Sequence, residues 1–183
     1  MQPEYGCTGC LSAPAQGDGE QQRDGRKMMM KSLFVSGVVA GNTLAAQAGV
    51  AEPPDMMVAL VLDTQANGAT LISEQVYTNP NDTAVINSKL WRNLQFSSRY
   101  RVMDTKLLRG KHHESQDAVG TSSQDMGSLP FTFAWNGNIP VTFTGAGADV
   151  ANVTDNAFHI VAFATNATYT PALTWNARMR FVG

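Results

Sequence analysis

The chain has 183 residues, 43% hydrophobic and only 15% charged, with a formal net charge of −2. That length suits one domain, which at this size buries roughly 70% of its unfolded surface. It excludes a bilayer-spanning helix, because no stretch approaches the roughly 20 apolar residues required. The N-terminus also lacks the basic-then-apolar pattern of a signal peptide, so a soluble protein made inside a cell is expected.

Residues 1–22 are rich in Gly, Gln, Pro and Ser without periodicity and read as a mobile or surface-laid arm. The two cysteines, Cys7 and Cys10, lie in this segment as a lone Cys-x-x-Cys. A zinc site needs about four ligands, and no second Cys pair or spaced His pair completes one. Redox motifs of this type open a helix in a βαβ pattern, which is absent here, so two thiols in a loose segment are expected.

From residue 23 the pattern becomes that of a folded domain running to residue 183. Met28 to Val39 reads as a long strand, with Lys27, Met29, Lys31, Leu33 and Val35 on one face and Met28, Met30, Ser32 and Phe34 on the other. Gly41 to Pro54 is a small-residue connection ending in Pro53-Pro54, which excludes central strand pairing. Met57 to Leu62 is an unbroken apolar run of strand length, expected in the interior of a sheet. It ends at Asp63 and a polar corner closing on Asn67-Gly68, both tolerant of positive φ.

Residues 69–97 leave strand and short helix open, with turn chemistry at Asn79-Pro80-Asn81-Asp82. Arg99 to Leu108 reads as a strand, and Lys111 to Ser128 as polar loop. Leu129 to Phe133 and Pro140 to Thr144 flank Asn136-Gly137-Asn138, read as a reversal between two strands. Phe158 to Ala164 and Leu173 to Val182 supply the last two. Short strands divided by Gly, Pro and Asn turns, with no long amphipathic helix, predict an all-β sandwich or barrel. This pattern does not separate a jelly roll from an immunoglobulin-like or lectin-like sandwich.

Four segments in order carry a family resemblance. Gln16-Gly17-Asp18-Gly19 leads to Arg23-Asp24-Gly25-Arg26-Lys27, and Leu62-Asp63-Thr64-Gln65-Ala66-Asn67-Gly68 follows. Asn93-Leu94 then precedes Arg99-Tyr100-Arg101-Val102-Met103-Asp104, and Arg178-Met179-Arg180-Phe181 closes the chain. The set resembles the capsid proteins of circular Rep-encoding single-stranded DNA viruses, the group that includes circoviruses. The resemblance covers nearly everything from Gln16 to Gly183. It implies a single eight-stranded jelly roll of two Greek-key sheets. It also implies self-assembly into the smallest icosahedral shell (T=1), of about 60 copies, closed by heterologous contacts.

Three further partners and places follow from the resemblance: a single-stranded DNA genome, a host-cell receptor, and a virion assembled in the host nucleus. Members of the family usually begin with an Arg-rich arm, whereas residues 1–22 contain no Lys or Arg. Either such an arm was removed or this member never had one, and genome binding by the chain as it stands is expected to be weak.

No catalytic constellation is expected. His112-His113-Glu114 is the only local group that could suggest a metal, and adjacent strand residues point to opposite faces. His159 reads as a hydrogen-bonded sheet histidine. No nucleophile elbow, P-loop or dinucleotide fingerprint occurs, so neither an enzyme nor a cofactor is predicted. The sequons at Asn81, Asn152 and Asn166 read as chance in an Asn/Thr-rich chain.

All 13 Lys and Arg residues fall in three clusters: Arg23 to Lys31, Lys89 to Lys111, and Arg178 with Arg180. Since the first and last strands of a jelly roll are neighbours, Lys27 and Lys31 are expected beside Arg178 and Arg180. The candidate nucleic-acid-binding residues are Arg23, Arg26, Lys27, Lys31, Arg99, Arg101, Arg178 and Arg180, holding phosphates by charge without reading sequence. Tyr100 or an exposed Trp is the candidate base-stacking residue. The competing expectation pairs these cations with carboxylates such as Asp24 and Asp104 or places them in subunit contacts. The alternative function is a non-viral carbohydrate-binding β-sandwich, with Trp135 or Trp175 stacked on a sugar ring.

Overall fold

The computed structural model describes residues 6–40, 44–45, 56–78, 91–109, 113–116, 122–125, 128–164 and 172–183. In chain order the elements are β1 (Gly6–Cys10), β2 (Lys27–Ala40), β3 (Leu44–Ala45), β4 (Met56–Asp63), α1 (Ser73–Val76), β5 (Tyr77–Thr78) and β6 (Trp91–Arg92). They continue with β7 (Tyr100–Leu108), β8 (His113–Gln116), β9 (Ser122–Asp125), β10 (Ser128–Phe143), β11 (Val153–Asp155), β12 (Ala157–Ala164) and β13 (Ala172–Val182). The protein is an all-β sandwich. One sheet has the order β1-β12-β4-β7 and the other β11-β10-β2-β13, every neighbour antiparallel. β3, β9 and β8 form a small separate sheet, and β5 pairs with β6.

The core fills the space between the two sheets. Met30, Leu33, Val35 and Val39 of β2 face Leu60 and Leu62 of β4 and Phe158 and Ile160 of β12, with Phe131 and Phe133 closing it. Each such side chain contributes roughly 1.5–3 kcal/mol on leaving water. A second cluster coats the opposite face of β4 and β12, where Ala59, Val61, Val161 and Phe163 lie under Leu71, Val76, Tyr77 and Tyr100. β4 is therefore covered on both faces, and this is why its apolar run is unbroken rather than alternating. Its last residue turns the chain: the Asp63 carboxylate accepts from the Gln65 amide, and Gly68 takes φ +74°. A Cβ on Gly68 would stand 2.8 Å from the Ala151 carbonyl oxygen, so glycine is required twice over.

Several expectations need redrawing. Residues 111–128, read as polar loop, contribute β8 and β9, which pair with each other. The segment read as a loose arm contributes β1, which pairs along β12 from Gly6↔Phe163 to Cys10↔His159 and is followed by the buried Leu11 and Ser12. Asn136-Gly137-Asn138 is not a reversal. β10 runs through it, and the register against β2 shifts between Asn136↔Ser32 and Ile139↔Met30. The same irregularity recurs against β13 between Arg180↔Ser32 and Phe181↔Met30. It leaves Lys31 outside both ladders and reverses the phase of β2. Met28 and Met30 share the buried side with Leu33 and Val35, while Lys27, Met29 and Phe34 face outward. Within residues 69–97, the described part is the single turn of α1, two short strands and a 3-10 turn at Leu94–Phe96. The turn at residues 79–82, most of the 41–54 connection and His112 lie outside the described residues. No helix of the described residues is long and apolar enough to cross a membrane.

Candidate nucleic-acid interface

The sheet β10-β2-β13 buries one face and presents the other, and the composition of its strands sets the charge of that face. Neither β2, β10 nor β13 contains an Asp or Glu, while β2 carries Lys27 and Lys31 and β13 carries Arg178 and Arg180. Antiparallel partners point to the same side, so the registers give the outer face row by row. Arg178, Phe34 and Ala134 form one row, and Arg180, Ser32 and Asn136 the next. Val182, Met29 and Pro140 follow, and Lys27 lies opposite Thr142. Lys31, on the register irregularity, reaches across to β10 and donates from Nζ to Asn138 Oδ1 at 2.7 Å. All four cations are exposed. Among the described residues none of them has a carboxylate within ion-pair distance; the pairs found are Arg99–Asp63 and Lys106–Asp104.

The structure thus brings Lys27, Lys31, Arg178 and Arg180 together on one face, with the exposed Arg26 beside Lys27. It places the other candidates elsewhere. Arg23 is fully buried: it donates to the carbonyls of Pro14, Gly25 and Gly145, with its guanidinium carbon 3.9 Å from the centre of the Phe143 ring. A cation so enclosed ties the chain before β2 to the turn after β10, and with no exposure to solvent it is closed to a phosphate. Arg99 grips buried Asp63 through Nε at 2.9 Å and Nη2 at 2.8 Å, and this pairing holds its proton more tightly than usual. Arg101 is exposed, but on β7, at the edge of the other sheet. Charge in the sequence does not distinguish a surface cation such as Arg101 from one committed to an interior carboxylate, as Arg99 is.

Tyr100 is buried at 2% exposure and donates to Gln75, so it is not a stacking platform. Trp135 packs inward on Phe158, with ring centres 4.9 Å apart. Trp175 lies over Gly9, where a Cβ would come within 2.5 Å of the indole. The aromatic that the outer face does expose is Phe34, 48% accessible, at the middle of the central strand. Its signal in the sequence was present but masked: it follows Leu33 and precedes Val35, and only the phase change at Lys31 shows which of the three points outward.

A cleft of about 790 Å³ opens between β1 and β13, which ends its sheet among the described residues. Arg178 and Arg180 overhang it, with Glu20 and Asp149 also on its walls but beyond ion-pair distance. Among the described residues no group of three His, Cys, Asp or Glu side chains could hold a metal ion. His159 is fully enclosed with neither ring nitrogen hydrogen-bonded, rather than satisfied as its strand position suggested. Burial pushes its pKa down to about 4, against the opposing pull of the Asp63 carboxylate.

No protein-family model matches the chain, and a comparison with curated proteins finds no relative.

Proposed function

We propose that this chain is a capsid subunit, a non-enzymatic structural protein that assembles into a small closed shell around single-stranded DNA. The observation that carries the reading is the strand order. In an eight-stranded jelly roll, one sheet joins the second, seventh, fourth and fifth strands, and the other the first, eighth, third and sixth. With β1 taken as the second strand, the order β1-β12-β4-β7 agrees with the first of these, and β13-β2-β10 agrees with the eighth, third and sixth. Seven of the eight strands are matched in this way among the described residues. This agreement joins the ordered motifs of the sequence, which resemble circovirus-like capsid proteins over the same residues.

The outer face of β2, β10 and β13 supplies a second support. Four exposed cations without a carboxylate on their three strands suit a wall that holds phosphates by charge, independent of base sequence. The sugar-binding alternative loses its platforms, since Trp135 and Trp175 pack into the sandwich.

Size-exclusion chromatography with negative-stain microscopy of the leading peak tests the proposal. Uniform spheres about 20 nm across are expected from symmetric repetition of one set of contacts. A monomer at both low and high salt, unchanged when an Arg-rich arm is added, would overturn it.

A further inference from the structure

We propose that Phe34 is a base-stacking platform, and that the outer face of β2, β10 and β13 therefore takes single strands in preference to duplexes. The inference rests on reading that face as a nucleic-acid surface and adds the residue and the strandedness.

The ring is open because its neighbours are small. Along β2 the same face carries Ser32 and Ser36, and across the ladder Ala134 stands opposite on β10. On the other side the ladder partner is Arg178, followed two residues on by Arg180. Side chains two apart on a strand are spaced by about 7 Å, so the two guanidiniums form a short cationic rail along one flank of the ring. An apolar ring bordered by such a rail combines the two elements of sequence-tolerant single-strand binding: a π-face for an unpaired base and charge for the backbone. A base in a duplex has both faces covered by its neighbours and cannot use the ring.

A second copy of the chain is the competing occupant, since Val38 and Val182 are also exposed on this face. An isologous contact would set Lys27, Lys31, Arg178 and Arg180 against their own copies with no carboxylate on the strands to relieve them. Polyanionic nucleic acid complements the face as it stands.

The test measures fluorescence anisotropy of labelled oligo(dT), oligo(dA) and a duplex of equal length against the full chain over a salt series. Light scattering of the same samples reports shell formation. Phe34→Ala is expected to weaken both single strands roughly 5- to 150-fold, with the slope of affinity against salt unchanged. Phe34→Trp should restore binding. The double variant Arg178→Ala/Arg180→Ala should instead flatten the single-strand slope by about 0.7 per cation removed. Because the ring is half covered on a central strand, Phe34→Ala should lower the thermal midpoint modestly while the chain stays folded at the assay temperature. Unchanged single-strand affinity in Phe34→Ala, while the Arg variant weakens, would overturn the stacking role and leave the cationic face standing. Loss of shells in Phe34→Ala with oligonucleotide affinity intact would make Phe34 a subunit contact and overturn it too. No binding by the parent chain, in the presence of normal shells, would remove the nucleic-acid reading of the face altogether.

Discussion

Arg99 closes on Asp63 through two parallel hydrogen bonds, at 2.8 and 2.9 Å, and the carboxylate it holds has no exposure to solvent. The pair joins the end of β4 to the chain entering β7, and the Thr64 amide donates to the Arg99 carbonyl at the same corner. The polar corner after the buried strand is therefore locked from outside rather than merely turned. Removing the guanidinium leaves a buried charge held chiefly by the Gln65 amide. We expect Arg99→Ala to cost about 3–5 kcal/mol in chemical denaturation. The exposed Arg101→Ala, two residues away, should stay within about 0.5 kcal/mol. Equal effects at the two positions would show that the ion pair does not hold this corner.

His159 gives the fold a pH dependence. Its folded-state pKa is lowered to about 4 from an ordinary value of 6.5, because burial disfavours the charged ring. Below pH 6.5 the unfolded chain takes up a proton that the folded chain refuses, so the stabilising contribution falls with pH through the window from 6.5 to 4. Over that window the loss amounts to about 3 kcal/mol. The apolar, non-titrating His159→Phe variant should lose this part of the dependence, read from denaturation midpoints at pH 7 and pH 4.5. A parent protein equally stable at both values would contradict the assignment.

Arg23 separates charge from function. Its three carbonyl partners and the Phe143 ring lie in the turns around the start of β2. Arg23→Ala should destabilise by about 3 kcal/mol or more, since three charged hydrogen bonds to half-buried carbonyls and the packing on Phe143 are lost. It should leave the salt slope of oligonucleotide binding unchanged, whereas a phosphate-binding Arg23 would reduce that slope by about 0.7.

Under the proposed function, the cationic face governs packaging rather than assembly. Replacing Lys27, Lys31, Arg178 and Arg180 together with Ala should lower the 260-to-280 nm absorbance ratio of purified shells without changing their diameter. An unchanged ratio would remove these four residues from the interface.

β4 was readable from the chain because it depends on local pattern. An apolar run ending in Asp63 and closing on Gly68 has few other physical outcomes. Lys27 and Lys31 do lie beside Arg178 and Arg180, but β1 precedes β2, so β2 is not the first strand on which that neighbourhood was expected. The phase of β2 was not readable. A one-residue irregularity at Lys31 turns Phe34 outward and keeps Met28 and Met30 inside, and it is fixed by the ladders to β10 and β13. β1 was hidden for a related reason: Gly6–Cys10 has no periodicity of its own and becomes a strand by pairing with β12. The absence of any carboxylate from β2, β10 and β13 was plain in the sequence, but it acquired meaning only once those strands stood side by side.

The most direct measurement is cryo-electron microscopy of the purified protein, at a resolution that traces strands. The proposed capsid role requires a closed shell of identical subunits with the outer face of β2, β10 and β13, carrying Phe34, Arg178 and Arg180, lining the lumen against nucleic-acid density. A shell with that face turned to solvent, or a protein that forms no shell, would contradict it.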